Sequence, residues 1–318
     1  MKDVHLQDTI PETLQGMRLD QALASMFPDY SRARIKTWII NQQVNVDGEV
    51  WSPTDKVKGG EEVIIHADVP EAVEWTGQEI ALDVVYADDD IIIINKPAGL
   101  VVHPAAGHQT GTLVNAILHQ FPECVHLPRG GIVHRLDKDT SGLMIVARSL
   151  PAHTALVKAL AEHEITRKYE ALVKGEMTGG GKVDAPMGRH SGNRLRMAVV
   201  EGGKHAVTHY RLKQRLPGHT LITCQLETGR THQIRVHMAY IGYPLVGDPL
   251  YAGRARFPKN LSEKTRAYIN HFKRQALHSY ELSFSHPVTH EPLFFTVAMP
   301  EDMKILVRLL EEELKTPR

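Results

Sequence analysis

The sequence predicts an α+β protein in two parts, a small N-terminal unit of two helices and short strands and a larger unit built on a mixed, mainly antiparallel sheet. Three observations carry this expectation. The chain has 318 residues, about two domains at roughly 100 to 200 residues each. Its composition, 42% hydrophobic and 23% charged without a low-complexity tract, provides a core and excludes a disordered chain. Strand-like alternation and helical spacing are interspersed along it without regular βαβ alternation. The expected division is an N-terminal extension over 1–16, the small unit over 17–75 and the larger unit over 76–318.

In the small unit, Leu19, Leu23, Met26 and Phe27 fall at helical spacing until Pro28-Asp29 interrupts them. Ser31 is placed to cap a second helix, in which Ile35, Trp38 and Ile39 form the apolar stripe and Arg32, Arg34 and Lys36 surround the first turns. Short strands follow in VNVDG, where Asp47-Gly48 signals a turn, and in EEVIIH after Gly59-Gly60. Residues 67–80 are acidic and broken by Pro and Gly, and read as a linker.

The larger unit begins with the all-apolar run Ile91 to Ile94, a buried strand, and Leu113 to Phe121 has helical spacing. GLMIVARS reads as a strand, HTALVKALAEHE as a helix and KYEALVKGEM as a strand. AVTHYRLKQRL and HTLITCQLETG alternate as strands do, THQIRVHMAYIG reads as a helix, and ALHSYELSF with LFFTVAM forms the last hairpin. EDMKILVRLLEEEL is an amphipathic helix.

No window approaches the roughly 18 consecutive apolar residues of a membrane span, and the opening MKDVHLQDTIPE lacks the apolar core of a signal peptide. A cytoplasmic protein with no membrane partner is expected. Cys124 and Cys224 stand far apart without a CxxC, against a disulfide framework or a cysteine zinc site.

The 37 Lys+Arg balance the 37 Asp+Glu, yet the charge is unevenly spread. Residues 1–80 hold 7 basic against 14 acidic residues, whereas 189–256 hold 11 basic, nearly all arginine, against 3 acidic. A basic stretch suited to phosphate contacts is therefore hidden in a neutral chain.

The densest polar stretch is GIVHRLDKDTSGLMIVA, residues 131–147. Asp137, Asp139, Ser141 and Gly142 match the opening positions of a calcium loop, but Arg148 stands where that loop needs a bidentate Glu, which rules it out. Two readings remain on chemistry alone: a structural turn capped by Asp and Thr side chains, or a catalytic loop with one carboxylate as nucleophile. Nor does chemistry alone choose between Asp137 and Asp139. The 19 histidines supply two i, i+4 pairs, 205/209 and 286/290, but the first lies in a strand-like stretch and the second contains Pro287. No metal is expected.

HRLDKDTSGL resembles the signature loop of the RluA/RluD-type pseudouridine synthases, and further segments of that family's pattern recur in order. They are INKPAGLVVHP at 94–104, RKYEALVKG around Tyr169, LETGRTHQIRVHMAYIGYPLVGDPLY at 226–251 and RQALHSYELSFSHP at 274–287. RLDQALA, YSRARIKTWI, QVNVDGEV and DKVKGGEEVIIH resemble in turn the RNA-binding domain first seen in ribosomal protein S-four. TSG rather than TTG at 140–142 is within family variation.

The resemblance implies an isomerase that detaches uracil from ribose, turns the ring and rejoins it through carbon five, without a cofactor. It makes Asp137 the nucleophile, Arg235 its ionic partner and Tyr169 the aromatic on which the base stacks, with a hydroxyl to assist proton removal at carbon five. Leu277 is a candidate apolar wall, Arg135, two residues before the nucleophile, is placed to fill the gap left by a flipped base, and the basic stretch and the second helix offer phosphate contacts from Arg194, Arg196, Arg32, Arg34 and Lys36. The implied partner is large-subunit ribosomal RNA, or an assembly intermediate of that subunit, met at a stem-loop by a monomer. The same chemistry on transfer RNA and a noncatalytic RNA-binding assembly factor are the alternatives; the presence of Asp137, Tyr169 and Arg235 together favours an enzyme.

Overall fold

The computed structural model describes residues 2–28, 30, 32–69, 75–104, 110–193, 195–253, 257–258 and 261–315. The chain divides into two units, Met1–Glu74 and Trp75–Arg318.

The first unit runs β1 (Lys2–Thr9), α1 (Leu19–Met26), α2 (Arg32–Ile40), β2 (Val44–Val46) and β3 (Glu62–Val69), with β3 between β1 and β2 in an antiparallel sheet. Of the expected stripes, Leu19, Leu23, Ile35, Trp38 and Ile39 are buried and pack with Val4, Val44, Val46, Val63 and Ile65 in one core, with Met26 and Phe27 partly buried at its edge. Asp47 and Gly48 both adopt positive φ, the conformation a two-residue hairpin turn requires. Two expectations change here. The stretch 1–16 is no mere extension, because β1 pairs with β3 along its whole length and Val4 and Ile10 are buried. The linker is shorter at its start, since 67–69 complete β3 and find hydrogen-bond partners in β1. The capping of α2 by Ser31 lies outside the described residues.

In the second unit, β4 (Val84–Ala87), β5 (Ile91–Lys96), α3 (Leu113–Gln120), β6 (Ser141–Ala147), α4 (Leu150–Ala161) and β7 (Thr166–Lys174) come first. Next are β8 (Gly181–Asp184), β9 (Met187–Arg189), β10 (Met197–Val199), β11 (Val207–Leu216), β12 (His219–Leu226) and α5 (Gln233–Tyr240). The unit continues with α6 (Glu263–His271), β13 (Leu277–Ser285), β14 (Pro292–Thr296) and α7 (Glu301–Lys315). The main sheet has the order β4-β5-β6-β13-β7-β12-β11-β8, with β14 also on β13. Every pairing is antiparallel except β6 with β13. The expected α+β class with a mixed, mainly antiparallel sheet is what the chain forms.

The Ile91–Ile94 run is apolar throughout because both faces of β5 are covered. Ile92 and Ile94 join a core with α3, whereas Ile91 and Ile93 join one with α4. α7 closes a third core through Met303, Leu306 and Leu310 against Leu172, Leu221 and Val246. At the parallel seam Gly142 has φ of +113°, and a Cβ there would lie 2.1 Å from the Ser279 carbonyl oxygen, so only glycine admits β13 so close to β6. Among the described residues no helix is long and apolar enough to cross a membrane.

Candidate active site

The loop that leads into β6 carries Asp137, and backbone bonds hold it on both sides. Thr140 N donates to Asp137 O at 3.1 Å, and Gly99 N donates to Lys138 O at 2.9 Å. Lys96, fully buried at the end of β5, donates its ammonium to the carbonyls of Pro97, Leu100 and Lys138 at 2.8, 3.0 and 2.9 Å. Burial lowers its pKa to about 7, opposed by the charges of Asp139 and Asp137. His134 accepts from Ile145 N at 3.1 Å, and burial pushes its pKa down to about 3, so it is a neutral acceptor that pins the loop to β6.

Asp137 meets Arg235 from α5, whose Nη1 donates to Asp137 Oδ2 at 2.9 Å. The other edge of the guanidinium makes a bidentate pair with Asp248, Nε to Oδ2 at 2.7 Å and Nη2 to Oδ1 at 3.0 Å. Asp248 Oδ1 also accepts from the backbone N–H groups of Leu250 and Tyr251 at 2.9 and 3.1 Å. Burial works against the charge of Arg235, but the hydrogen bonds and charges of Asp248 and Asp137 outweigh it and raise its pKa above the usual arginine value. One cation is thus clamped by one carboxylate and presented to another.

His232, at the start of α5 with a left-handed φ of 58°, places Nε2 3.9 Å from Asp137 Oδ1. The Tyr251 hydroxyl accepts from Met197 N at 2.8 Å and lies within hydrogen-bond distance of His232 Nδ1, at 2.9 Å. Burial lowers the His232 pKa, with the Asp137 charge opposing, and keeps the ring neutral at neutral pH. Arg196 and Arg235 both lie against the Tyr251 ring, 5.2 and 5.1 Å from its centroid.

These groups open onto a cavity of about 580 Å³ whose lining includes Arg135, Asp137, Tyr169, Arg235 and Leu277. The structure therefore brings together five residues singled out in the sequence. Asp139 is not among the lining residues; its carbonyl accepts from Arg274. Tyr169 is almost fully buried on β7, and burial raises its pKa, so it remains a phenol. Arg32, Arg34 and Lys36 belong to the first unit and are exposed, with Arg32 paired to the buried carboxylate of Asp20 at 2.8 Å. Arg196 is half-buried against Tyr251, and Arg194 lies outside the described residues.

Asp248, His232, Tyr251 and Lys96 were not picked out in the sequence as site residues. Each lies inside a segment that carried the resemblance, but alone it reads as a turn acid, a helix-start residue, a core aromatic or a surface lysine.

A family profile described as RNA pseudouridylate synthase matches residues 90–240, and one described as S4 domain matches residues 17–63. The chain is 53% identical to the ribosomal large subunit pseudouridine synthase D of Yersinia pestis, over 98% of this chain and 96% of that one. It is 52% identical to the protein of the same name from Escherichia coli (strain K12), with the same coverage of each. Among solved structures, the human RNA Pseudouridylate Synthase Domain Containing 4 protein shares the fold, with a TM-score of 0.56 at 23% identity, over 74% of this chain and 94% of that one. Fold, site and relatives together define an RNA pseudouridine synthase, an intramolecular isomerase preceded by an S4 domain. Within that class the chain belongs to the family of the ribosomal large subunit pseudouridine synthases D.

Proposed function

We propose that this enzyme converts uridines in a stem-loop of large-subunit ribosomal RNA to pseudouridines, taking the base out of its helix into the 580 Å³ cavity. The observation that carries the reading is the Asp137–Arg235–Asp248 chain at the cavity wall beside Tyr169. Arg235 holds Asp137 aimed into the cavity; Tyr169 offers a face for stacking, worth about 1 to 3 kcal/mol per base; Leu277 gives the apolar side. The C1′–N1 bond breaks with its electron pair leaving on the uracil, while the Asp137 carboxylate traps or stabilises the ribose. The ring turns, C5 bonds to C1′, and C5 gives up its proton as N1 takes one. Atoms and electrons are conserved, so the isomerisation calls for no cofactor. A Tyr169 kept as a phenol is a poor base, which leaves the freed Asp137 carboxylate as the acceptor at hand for the C5 proton.

Arg135, an exposed residue on the rim, fills the gap in the stem, and Arg32, Arg34, Lys36, Arg194 and Arg196 supply contacts to the RNA, the last through its place against Tyr251. The family resemblance and the identity to relatives named for the large subunit favour this RNA over transfer RNA, and the intact site speaks against a noncatalytic assembly factor. The enzyme acts as a cytoplasmic monomer on this RNA or on an assembling subunit, with S4-like binding by 17–75 and catalysis by 76–318.

The test is to map pseudouridine in ribosomal RNA by carbodiimide-dependent primer-extension stops, in cells lacking the gene and complemented with variants. Asp137→Asn should restore no modification while binding the RNA within about a few fold of wild type, because the amide keeps the shape but loses the anionic nucleophile. Asp139→Asn should restore it. The reverse pattern assigns the chemistry to the other aspartate, and stops that never depend on the gene remove the ribosomal target.

A further inference from the structure

Arg167, two residues before Tyr169 on β7, is 6% exposed and lines the same cavity, because residues two apart on a strand share a face. No carboxylate pairs with its guanidinium among the described residues, and its buried Nε has no hydrogen-bond partner. The other buried ionic groups at the centre of the site have hydrogen-bond partners: Asp137 and Asp248 share Arg235, and backbone carbonyls accept from Lys96. The chain also leaves room for this cation, since a Cβ at Gly229 would lie 2.9 Å from Arg167 Nη1.

A buried guanidinium with no anion in hydrogen-bond contact costs stability, so its retention in the cavity wall fits an anion that arrives from outside. We infer that Arg167 receives a phosphodiester oxygen next to the flipped uridine, which makes it a substrate-positioning group that neutralises one backbone charge inside the cavity. The inference rests on the reading that the target uridine enters this cavity. A phosphodiester carries a full negative charge in the ground state. A uracil oxygen carries only a partial one until the glycosidic bond breaks, and so answers the guanidinium less well. The other arginines of the lining need no such partner for the same reason: Arg129 and Arg135 are exposed to water, and Arg230 is exposed and donates to the His205 carbonyl.

The experiment uses full-length enzyme and a stem-loop RNA that the wild type converts, alongside the same RNA with a neutral methylphosphonate at the linkage on either side of the target uridine. Arg167→Met should weaken binding about 10- to 100-fold, the size of a charged hydrogen bond, with the single-turnover rate at saturating enzyme nearly unchanged. One of the methylphosphonates should weaken wild-type binding by a similar factor and cost Arg167→Met nothing more. The melting temperature of free Arg167→Met should equal or exceed that of wild type. Equal methylphosphonate penalties in both proteins overturn the inference. Unchanged binding with a slower saturated rate assigns Arg167 to a uracil oxygen instead, and a lower melting temperature assigns it a structural role. The binding arm does not depend on turnover, so a uridine that reaches another site shows up separately, as RNA bound through Arg167 but modified with Asp137 replaced.

Discussion

Arg235 shows how one side chain can serve two carboxylates with different duties. Two parallel hydrogen bonds to Asp248 fix the plane of the guanidinium, and backbone N–H groups fix Asp248 in turn, so the remaining Nη1 has one direction in which to point. Asp248→Asn should therefore slow the saturated single-turnover rate by about 10- to 100-fold, the loss expected for a charge-assisted hydrogen bond, while RNA affinity changes little. A rate that stays at the wild-type value would mean that Asp137 alone orients Arg235. Asp137 and Arg235 could be named from the sequence because each sits in a distinctive word. Asp248 could not, for an acid between Gly247 and Pro249 reads as turn chemistry, and its partner lies thirteen residues away on a helix.

At the scale of elements, those that bury an apolar stripe or run were legible, and their ends and the polar pieces were not. α4 starts at Leu150 rather than His153 because Ser149 caps it, accepting from Ala152 N at 3.2 Å, and Pro151 fits its first turn. α6 is polar along most of its length, and Glu313 of α7 fixes its start by bonding Ser262 and Thr265, a long-range contact that periodicity cannot show. The short strands β8 to β10 carry too few residues for an alternation to register. In the first unit the two helices and the hairpin turn were legible as local features, whereas β1 was not, because its partner β3 lies far along the chain. Because the two units keep separate cores and every cavity residue lies after Glu74, a chain lacking residues 1–74 should fold and convert a stem-loop, with weaker binding or poorer selectivity. Circular dichroism, RNA titration and single-turnover conversion check this, and a folded but inactive product would show that the S4 domain takes part in forming the site.

For the whole molecule, zero net charge conceals the basic stretch at 189–256, and RNA affinity should fall linearly with salt on logarithmic axes at about −0.7 to −0.9 per phosphate contacted. Replacing Arg34 and Lys36 together by Ala should make that slope shallower at an unchanged saturated rate. Arg196→Ala should make the slope shallower and also slow the rate, because it removes both an RNA contact and the cation stacked on Tyr251, which lies beside His232. Equal effects of the two variants on slope and rate would remove this division of labour. The sheet itself is two antiparallel halves joined by one strand: β13 stands between β6, which follows the Asp137 loop, and β7, which carries Tyr169. Translation produces β13 after every other strand but one. A nascent chain that already carries Asp137, Tyr169 and Arg235 still lacks the strand that hydrogen-bonds to both β6 and β7, and Leu277 is still missing from the cavity. The enzyme should therefore stay catalytically silent until one late strand slots between two early ones: a chain that ends before Leu277 should convert no RNA in a single-turnover assay, and conversion by it would show that the site assembles without β13.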